Sequence, residues 1–204
     1  MMKMNISKTK YLWILTLALG ITLVSCEDDD TDETPPTQND PELITDLILN
    51  FTDPDTGDSF EYRFSDSDGP GGDPPSIDDI ILSQPVGYQV SITVQDASDP
   101  DDIEDITEEI EEEANEHQFF LLVENGAGDV LDIDYDPTDV DLNGDPVGLH
   151  SFWVTSGETT GNESVRIVLR HEPDKTAPGA AQGELSEEVG GETDIEVEFN
   201  LTIE

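Results

Sequence analysis

The chain has 204 residues, of which 50 are Asp or Glu and only seven are Lys or Arg, so its formal net charge is −43. This acidity excludes nucleic acid as a partner, because phosphate binding requires a basic surface. It also disfavours contact with anionic lipid headgroups and favours cations as small partners. The apolar residues are concentrated in periodic runs, which predicts a folded domain rather than a disordered chain.

The N-terminal residues have the pattern of a lipoprotein signal peptide. Three lysines are followed by an uncharged apolar run over residues 11–24, which is too short for a comfortable membrane span and suits a signal-peptide core. The run ends in Leu23-Val24-Ser25-Cys26, which resembles a bacterial lipobox, where the cysteine is acylated and becomes the mature N-terminus. We therefore expect residues 1–25 to be removed and Cys26 to be lipidated, with several acyl chains giving a stable anchor.

Residues 26–41 are predicted to be an acidic, proline-containing tether. The tetrad Glu27-Asp28-Asp29-Asp30 directly after Cys26 resembles the surface-export signal of lipoproteins from the Bacteroidota. We therefore expect a lipid-anchored protein of the outer membrane that faces outward. Since the only cysteine is Cys26, the mature chain is predicted to lack disulfides, thiolate metal ligands and a cysteine nucleophile.

Residues 42–204 are predicted to form one β-rich domain. Apolar and polar residues alternate in short runs, and segments rich in Asp, Gly and Pro separate them. The runs cover residues 47–51, 60–64, 88–94, 119–124, 130–135, 148–156, 164–171 and 194–204. Seven or eight short strands with turns between them predict a mainly β fold, either a single antiparallel β-sandwich or an open barrel.

One acidic amphipathic helix is predicted over about residues 100–117. Asp99 is a suitable N-cap, and Pro100 fits the first helical position. A narrow stripe at helical spacing contains Ile103, Ile106, Ile110, Ala114 and His117. The other face carries glutamates and no Lys or Arg, so like charges repel and the helix must be held by packing its isoleucines on the sheet.

Two histidines are candidate ligands of a transition metal. His117 lies on the apolar stripe near the end of the predicted helix, and His171 lies on the inward face of a predicted strand by simple alternation. Glu113, one helical turn before His117, would supply a carboxylate, and this combination suits zinc or another first-row ion. The simpler alternative is that His117 contacts the end of its own helix and His171 is a hydrogen-bonded residue at a strand end.

An Asp-rich segment is a candidate calcium loop. It matches the first half of an EF-hand loop, with glycine at position six, and its candidate ligands are Asp139, Asp141, Asn143 and Asp145. The closing glutamate is missing, because position twelve is His150, a poor calcium ligand. Asp, Asn and Gly are also common turn residues. The segment is therefore either a structural calcium site or an ordinary turn.

The sequence carries no nucleophile elbow, phosphate loop, H-E-x-x-H or G-x-G-x-x-G motif. Pairs of carboxylates do not indicate glycoside hydrolysis here, because a chain with 50 acids contains many such pairs. We therefore predict a non-enzymatic binding protein of the cell envelope. Its leading predicted ligand is a metal ion held by the two histidines. The alternative is a calcium-stabilised structural or adhesive surface module.

Four stretches resemble a family of Bacteroidota lipoproteins of unknown function, whose members often carry the label "type 1 periplasmic binding fold superfamily protein". They are Pro41–Thr45, Ala114–Phe120, Leu169–Pro173 and Gly190–Ile195. The label implies a two-lobed α/β fold. The resemblance also implies that His117 and His171 lie in family motifs, and that the protein acts beside an outer-membrane transporter. The leading predicted role is therefore an accessory to uptake across the outer membrane.

Overall fold

The computed structural model describes residues 43–69 and 71–204. The predicted signal peptide (1–25), the predicted lipidation of Cys26 and the predicted tether (26–41) lie outside the described residues. They remain predictions. Within the described ranges, no helix has the length and apolar character needed to cross a membrane.

Eleven strands occur in the described part of the chain. In chain order they are β1 (Asp46–Thr52), β2 (Ser59–Ser65), β3 (Ser76–Ile77), β4 (Ile80–Leu82), β5 (Gly87–Asp96), β6 (Glu104–Asp105), β7 (His117–Glu124), β8 (Leu131–Tyr135), β9 (His150–Thr155), β10 (Ser164–His171) and β11 (Glu192–Ile203). The alternating runs of the sequence correspond to the eight strands that have five or more residues. The three shorter strands have only two or three residues each.

The strands form two sheets. The first has the order β3-β2-β1-β5-β9-β8, with β6 also paired to β5, and the second has the order β4-β11-β10-β7. Neighbouring strands are antiparallel except β4 and β11, which are parallel. The predicted mainly β sandwich is confirmed, and the sheets do not close into a barrel. The two-lobed α/β fold that the family label implies is wrong for this chain.

The main core lies between the two sheets. Because side chains alternate along a strand, every second residue of the long strands faces this interior. Phe51 and Trp153 of the first sheet and Ile167 and Phe199 of the second are fully buried in one continuous cluster. The rings of Phe51 and Trp153 meet edge to face with centroids 5.1 Å apart, a favourable aromatic geometry.

A second, smaller core covers the outer face of the second sheet. Phe120 and Val168 project from β7 and β10 and pack against Ala177, Ala180 and Val189. These three residues belong to the segment between β10 and β11, so this long connection folds back over the sheet. The packing brings Lys175, in the same connection, into the interior.

Helix α1 (Ile106–Glu112) is much shorter than the predicted helix over 100–117. Its N-cap is Asp105 rather than Asp99, and the Asp105 carboxylate accepts a hydrogen bond from the Thr107 backbone N–H at 3.0 Å. The Thr107 hydroxyl bonds both backbone groups of Val94 in β5. Ile106 and Ile110 are buried as predicted, whereas the predicted stripe residue Ile103 is 54% exposed.

Strand pairing limits the helix at both ends. Glu104 and Asp105 form β6 by pairing with β5, and His117 starts β7, which pairs with β10 along its whole length. A glutamate-rich helix without a single Lys or Arg gains little from its own side chains. Tertiary hydrogen bonding therefore prevails over the helical periodicity of the flanking residues.

Candidate metal centre

The pairing of β7 with β10 places His117 and His171 directly opposite each other. Their ring centroids lie 4.7 Å apart, and both residues are buried. His117 is the first residue of β7 and His171 the last of β10, so the two imidazoles lie at one end of the sandwich. The structure thus brings together the two histidines that the sequence singled out, although one of them lies on a strand rather than on the predicted helix.

Asp194 joins the two histidines because of a β-bulge. Leu169 pairs with Ile195, but the next residue, Arg170, pairs with Thr193, so Asp194 is the extra residue of β11. A bulge re-aims a side chain that regular alternation would place on the other face. The Asp194 carboxylate is fully buried, with Oδ2 3.9 Å from Nε2 of His117 and Oδ1 3.9 Å from Nδ1 of His171.

Gly191 allows β11 to begin so close to the end of β10. Its φ is +73°, in the region that favours glycine. A Cβ at this position would lie 2.4 Å from the backbone oxygen of His171, a distance that no side chain tolerates. The close approach of these two backbones is therefore a condition for placing Asp194 beside the imidazoles.

Asp194, rather than the expected Glu113, supplies the carboxylate of this group. Glu113 contributes through its backbone instead, since its carbonyl oxygen lies 3.3 Å from Nδ1 of His117. Glu113 is the C-cap of α1, so the expected contact between His117 and the end of the helix is also present. An N–H at Nδ1 donating to this carbonyl leaves the lone pair on Nε2, the nitrogen that faces Asp194.

We call His117, His171 and Asp194 the inner cluster. One ligand atom from each residue lies within 4.8 Å of the others. Ligand atoms of a tetrahedral zinc site are about 3.3 Å apart, given metal–ligand bonds of about 2.0–2.1 Å. Small side-chain movements would therefore bring the three ligand atoms to the spacing of a tetrahedral site and would leave a fourth position for water. Two neutral imidazoles and one carboxylate suit zinc and other first-row divalent ions.

The candidate calcium loop is a tight turn. Its ends are joined by a β-bridge between Val140 and Pro146. Oδ1 of Asp141 accepts hydrogen bonds from the backbone N–H groups of Asn143, at 2.8 Å, and Asp145, at 3.0 Å. Asp139 accepts one from the backbone N–H of His150 at 2.7 Å. The segment therefore has the side-chain to backbone bonding of an Asp-rich turn.

Lys175 pairs with the Asp141 carboxylate at the centre of this turn. The Lys175 ammonium lies 3.2 Å from Oδ2 of Asp141, and both side chains are almost fully buried. It also donates to the backbone carbonyls of Ala114, at 2.6 Å, and Pro146, at 3.2 Å. Burial alone would raise the pKa of Asp141, but the two backbone N–H groups and Lys175 lower it. Within residues 43–69 and 71–204, Asp139, Asp141 and Asp145 belong to no His/Asp/Glu group placed to share a metal ion.

No sequence pattern singles out Lys175 or Asp194. Lys175 is placed by the fold of the connection between β10 and β11, which no local pattern predicts. Asp194 is on the solvent side by alternation, together with the exposed Glu196 and Glu198. The signal that points to a bulge is the pair Gly190-Gly191 just before the strand, since glycines often mark irregular strand geometry.

A cleft of about 690 Å³ lies away from the inner cluster. Its lining includes Tyr135, Phe152 and Gly183. The Tyr135 hydroxyl donates to the backbone oxygen of Phe119 at 2.6 Å, and burial raises the pKa of this phenol to about 12. A phenol with that pKa, already committed to a carbonyl, does not act as an acid or base near neutral pH.

No protein-family model, curated protein or solved structure matches this chain. The site must therefore be interpreted from its own geometry.

Proposed function

We propose that this protein binds a zinc-class divalent ion through His117, His171 and Asp194. The observation that carries the proposal is the position of two imidazoles and one carboxylate, buried together with their ligand atoms within 4.8 Å. A divalent ion between them would bond both imidazole nitrogens and neutralise the buried carboxylate at the same time. The contact of His117 with the Glu113 carbonyl is the kind of supporting hydrogen bond that orients a ligating histidine.

The proposed role is binding rather than catalysis. The side chains of His117 and Asp194 are fully buried, and that of His171 is only 10% exposed. A substrate larger than water therefore has little access to an ion held there, whereas a catalytic metal needs an open position that the substrate reaches. This supports a non-enzymatic protein that holds the ion itself.

The proposed setting is the cell envelope. The lipobox at Cys26 and the acidic residues after it support a lipid-anchored protein of the outer membrane that faces outward and touches the membrane only through its acyl chains. An excess of 50 acids over seven bases raises the local concentration of cations. We propose that the protein is an accessory to metal uptake, acting beside an outer-membrane transporter.

The alternative proposal, a calcium-stabilised structural or adhesive module, has less support from the geometry. Calcium prefers six to eight oxygen ligands. Here the central carboxylate of the candidate loop, Asp141, bonds two backbone N–H groups and Lys175. A calcium ion would have to displace a buried ammonium from it.

Calorimetric titration of zinc into the chelator-treated, full-length protein tests the main proposal. We expect one zinc per chain in the wild type, and affinity reduced at least roughly 100-fold in Asp194→Asn and in His171→Gln, because each loses one of three protein ligands. The matched control is His150→Gln, which removes the third histidine, whose side chain is 54% exposed. Equal zinc affinity in all four proteins would contradict the assignment.

A further inference from the structure

His171 faces carboxylates on both of its ring nitrogens. Nδ1 lies 3.9 Å from Oδ1 of Asp194 in the inner cluster. Nε2 lies 3.9 Å from Oε2 of Glu116, whose side chain is 47% exposed. Glu116, His171 and Glu172 form a second group whose ligand atoms lie within 4.8 Å of one another. We call this group the outer cluster.

The two clusters cannot use His171 at the same time. A neutral imidazole has one nitrogen with a lone pair and one with a proton. When the lone pair on Nε2 binds a cation in the outer cluster, the N–H at Nδ1 points at Asp194. When the lone pair on Nδ1 binds in the inner cluster, the N–H at Nε2 points at Glu116. In each arrangement the protonated nitrogen faces a carboxylate oxygen 3.9 Å away.

We propose that the outer cluster is the entry and exit site of the ion held by the inner cluster. This inference rests on the proposed function of His117, His171 and Asp194. The ion first binds Nε2 of His171 with Glu116 and Glu172. It then moves to Nδ1 of His171, Nε2 of His117 and Asp194, while the proton on Nδ1 is released to water and Nε2 takes one from water.

Burial supports this route. The side chains of His117 and Asp194 have no exposed surface, so among the inner ligands only His171, at 10%, reaches solvent. Both acids of the outer cluster are exposed. The backbone N–H of Glu172 donates to the carbonyl of Glu116 at 2.6 Å, which holds the two outer acids next to each other beside His171, the inner ligand whose side chain reaches solvent.

The test compares zinc-binding rates of the full-length wild type and the double variant Glu116→Gln/Glu172→Gln by stopped-flow mixing with a zinc-sensitive chelator dye. We expect the association and dissociation rates both to fall about tenfold, while the Kd changes less than about twofold. Equal changes of both rates are the signature of a transit site, because the ion contacts these residues only on its way. In the end state the amide oxygen introduced by Glu116→Gln can still face the N–H at Nε2 of His171, so the Kd is little changed.

The matched control is Glu108→Gln/Glu112→Gln, which removes the same charge from two exposed acids of α1 that are outside both clusters. Glu172 has a φ of +50°, a backbone conformation that favours glycine. The double variant Glu116→Gln/Glu172→Gly therefore removes the same two carboxylates without backbone strain at position 172. Unchanged rates in both outer variants, or a Kd weakened as much as in Asp194→Asn, would overturn the inference and leave the proposed function intact. A wild type that binds no zinc would overturn both.

Discussion

We expect the stability of the fold to depend strongly on the ion pair between Lys175 and Asp141. Their charged groups are 3.2 Å apart and almost fully buried. Asp141→Asn removes the carboxylate and leaves a buried ammonium with two carbonyls as acceptors. Breaking a buried pair from one side costs about 3 kcal/mol, and urea unfolding measures the loss.

The control for this prediction is Asp132→Asn, which neutralises an exposed acid on β8 and should change the free energy of unfolding by less than about 0.5 kcal/mol. The double variant Asp141→Asn/Lys175→Met should recover part of the loss, because it removes the isolated charge as well. Equal stability of Asp141→Asn and wild type would show that the pair is not a buried interaction.

Glu163 is a residue whose carboxylate organises a turn. Its two oxygens accept hydrogen bonds from the Thr160 hydroxyl, at 2.6 Å, and from the backbone N–H groups of Thr160, Gly161 and Asn162. The Thr160 hydroxyl, followed by these backbone groups, lowers the pKa of Glu163 from 4.5 to about 2. A carboxylate whose pKa falls on folding stabilises the folded state above its unfolded pKa.

We therefore expect Glu163→Gln to be less stable than wild type at pH 7. The difference should shrink as the pH falls from about 4.5 towards 2, because protonation of the wild-type carboxylate removes the same interactions. Melting temperatures over this pH range measure the effect, with the exposed Glu158→Gln as a control. A difference that stays constant with pH would contradict the assigned role of the charge.

At the scale of elements, the boundaries of α1 can be tested by two isoleucines. Ile110 is fully buried, and Ile103 is 54% exposed. Ile110→Ala should cost about 3 kcal/mol in the free energy of unfolding. Ile103→Ala should change it by less than about 0.5 kcal/mol. Equal losses would indicate a longer helix with Ile103 on its packed stripe, as the sequence alone predicted.

The elements show which part of the fold local sequence determines. Alternation predicted the long strands, because a half-buried strand must place every second side chain in the core. The helix was predicted too long at both ends. The competing interactions, β6 with β5 and β7 with β10, join residues that are distant in sequence, so the period of residues 100–117 does not reveal them.

Local periodicity predicted part of the candidate site. Alternation along a strand placed His171 inward, and the apolar stripe placed His117 inward on the wrong element. Asp194 was not predictable, because a bulge reverses the face that alternation assigns to it. Lys175 was not predictable either, since only the long connection between β10 and β11 brings it to Asp141.

For the molecule as a whole, acidic residues far outnumber basic ones. The four Lys and Arg residues of the described ranges are engaged within the chain. Arg63 lies 3.0 Å from Asp46, Arg166 lies 2.7 Å from Glu124, Lys175 is buried beside Asp141, and Arg170 donates to the Thr193 hydroxyl at 2.7 Å. The acidic surface is therefore not neutralised by basic side chains. Such a surface attracts divalent cations from solution, in keeping with the metal site proposed for the inner cluster.

A thermal melt of the full-length protein shows whether the inner cluster binds a zinc-class ion. The protein is melted in chelator, then with zinc or calcium at about a hundredfold excess over Kd. Zinc should stabilise by about 2.7 kcal/mol, which raises the melting temperature by roughly 5–10 °C, and the shift should be lost in His171→Gln and kept in His150→Gln. Calcium should produce none. No shift with zinc, or an equal shift with calcium, would contradict the account.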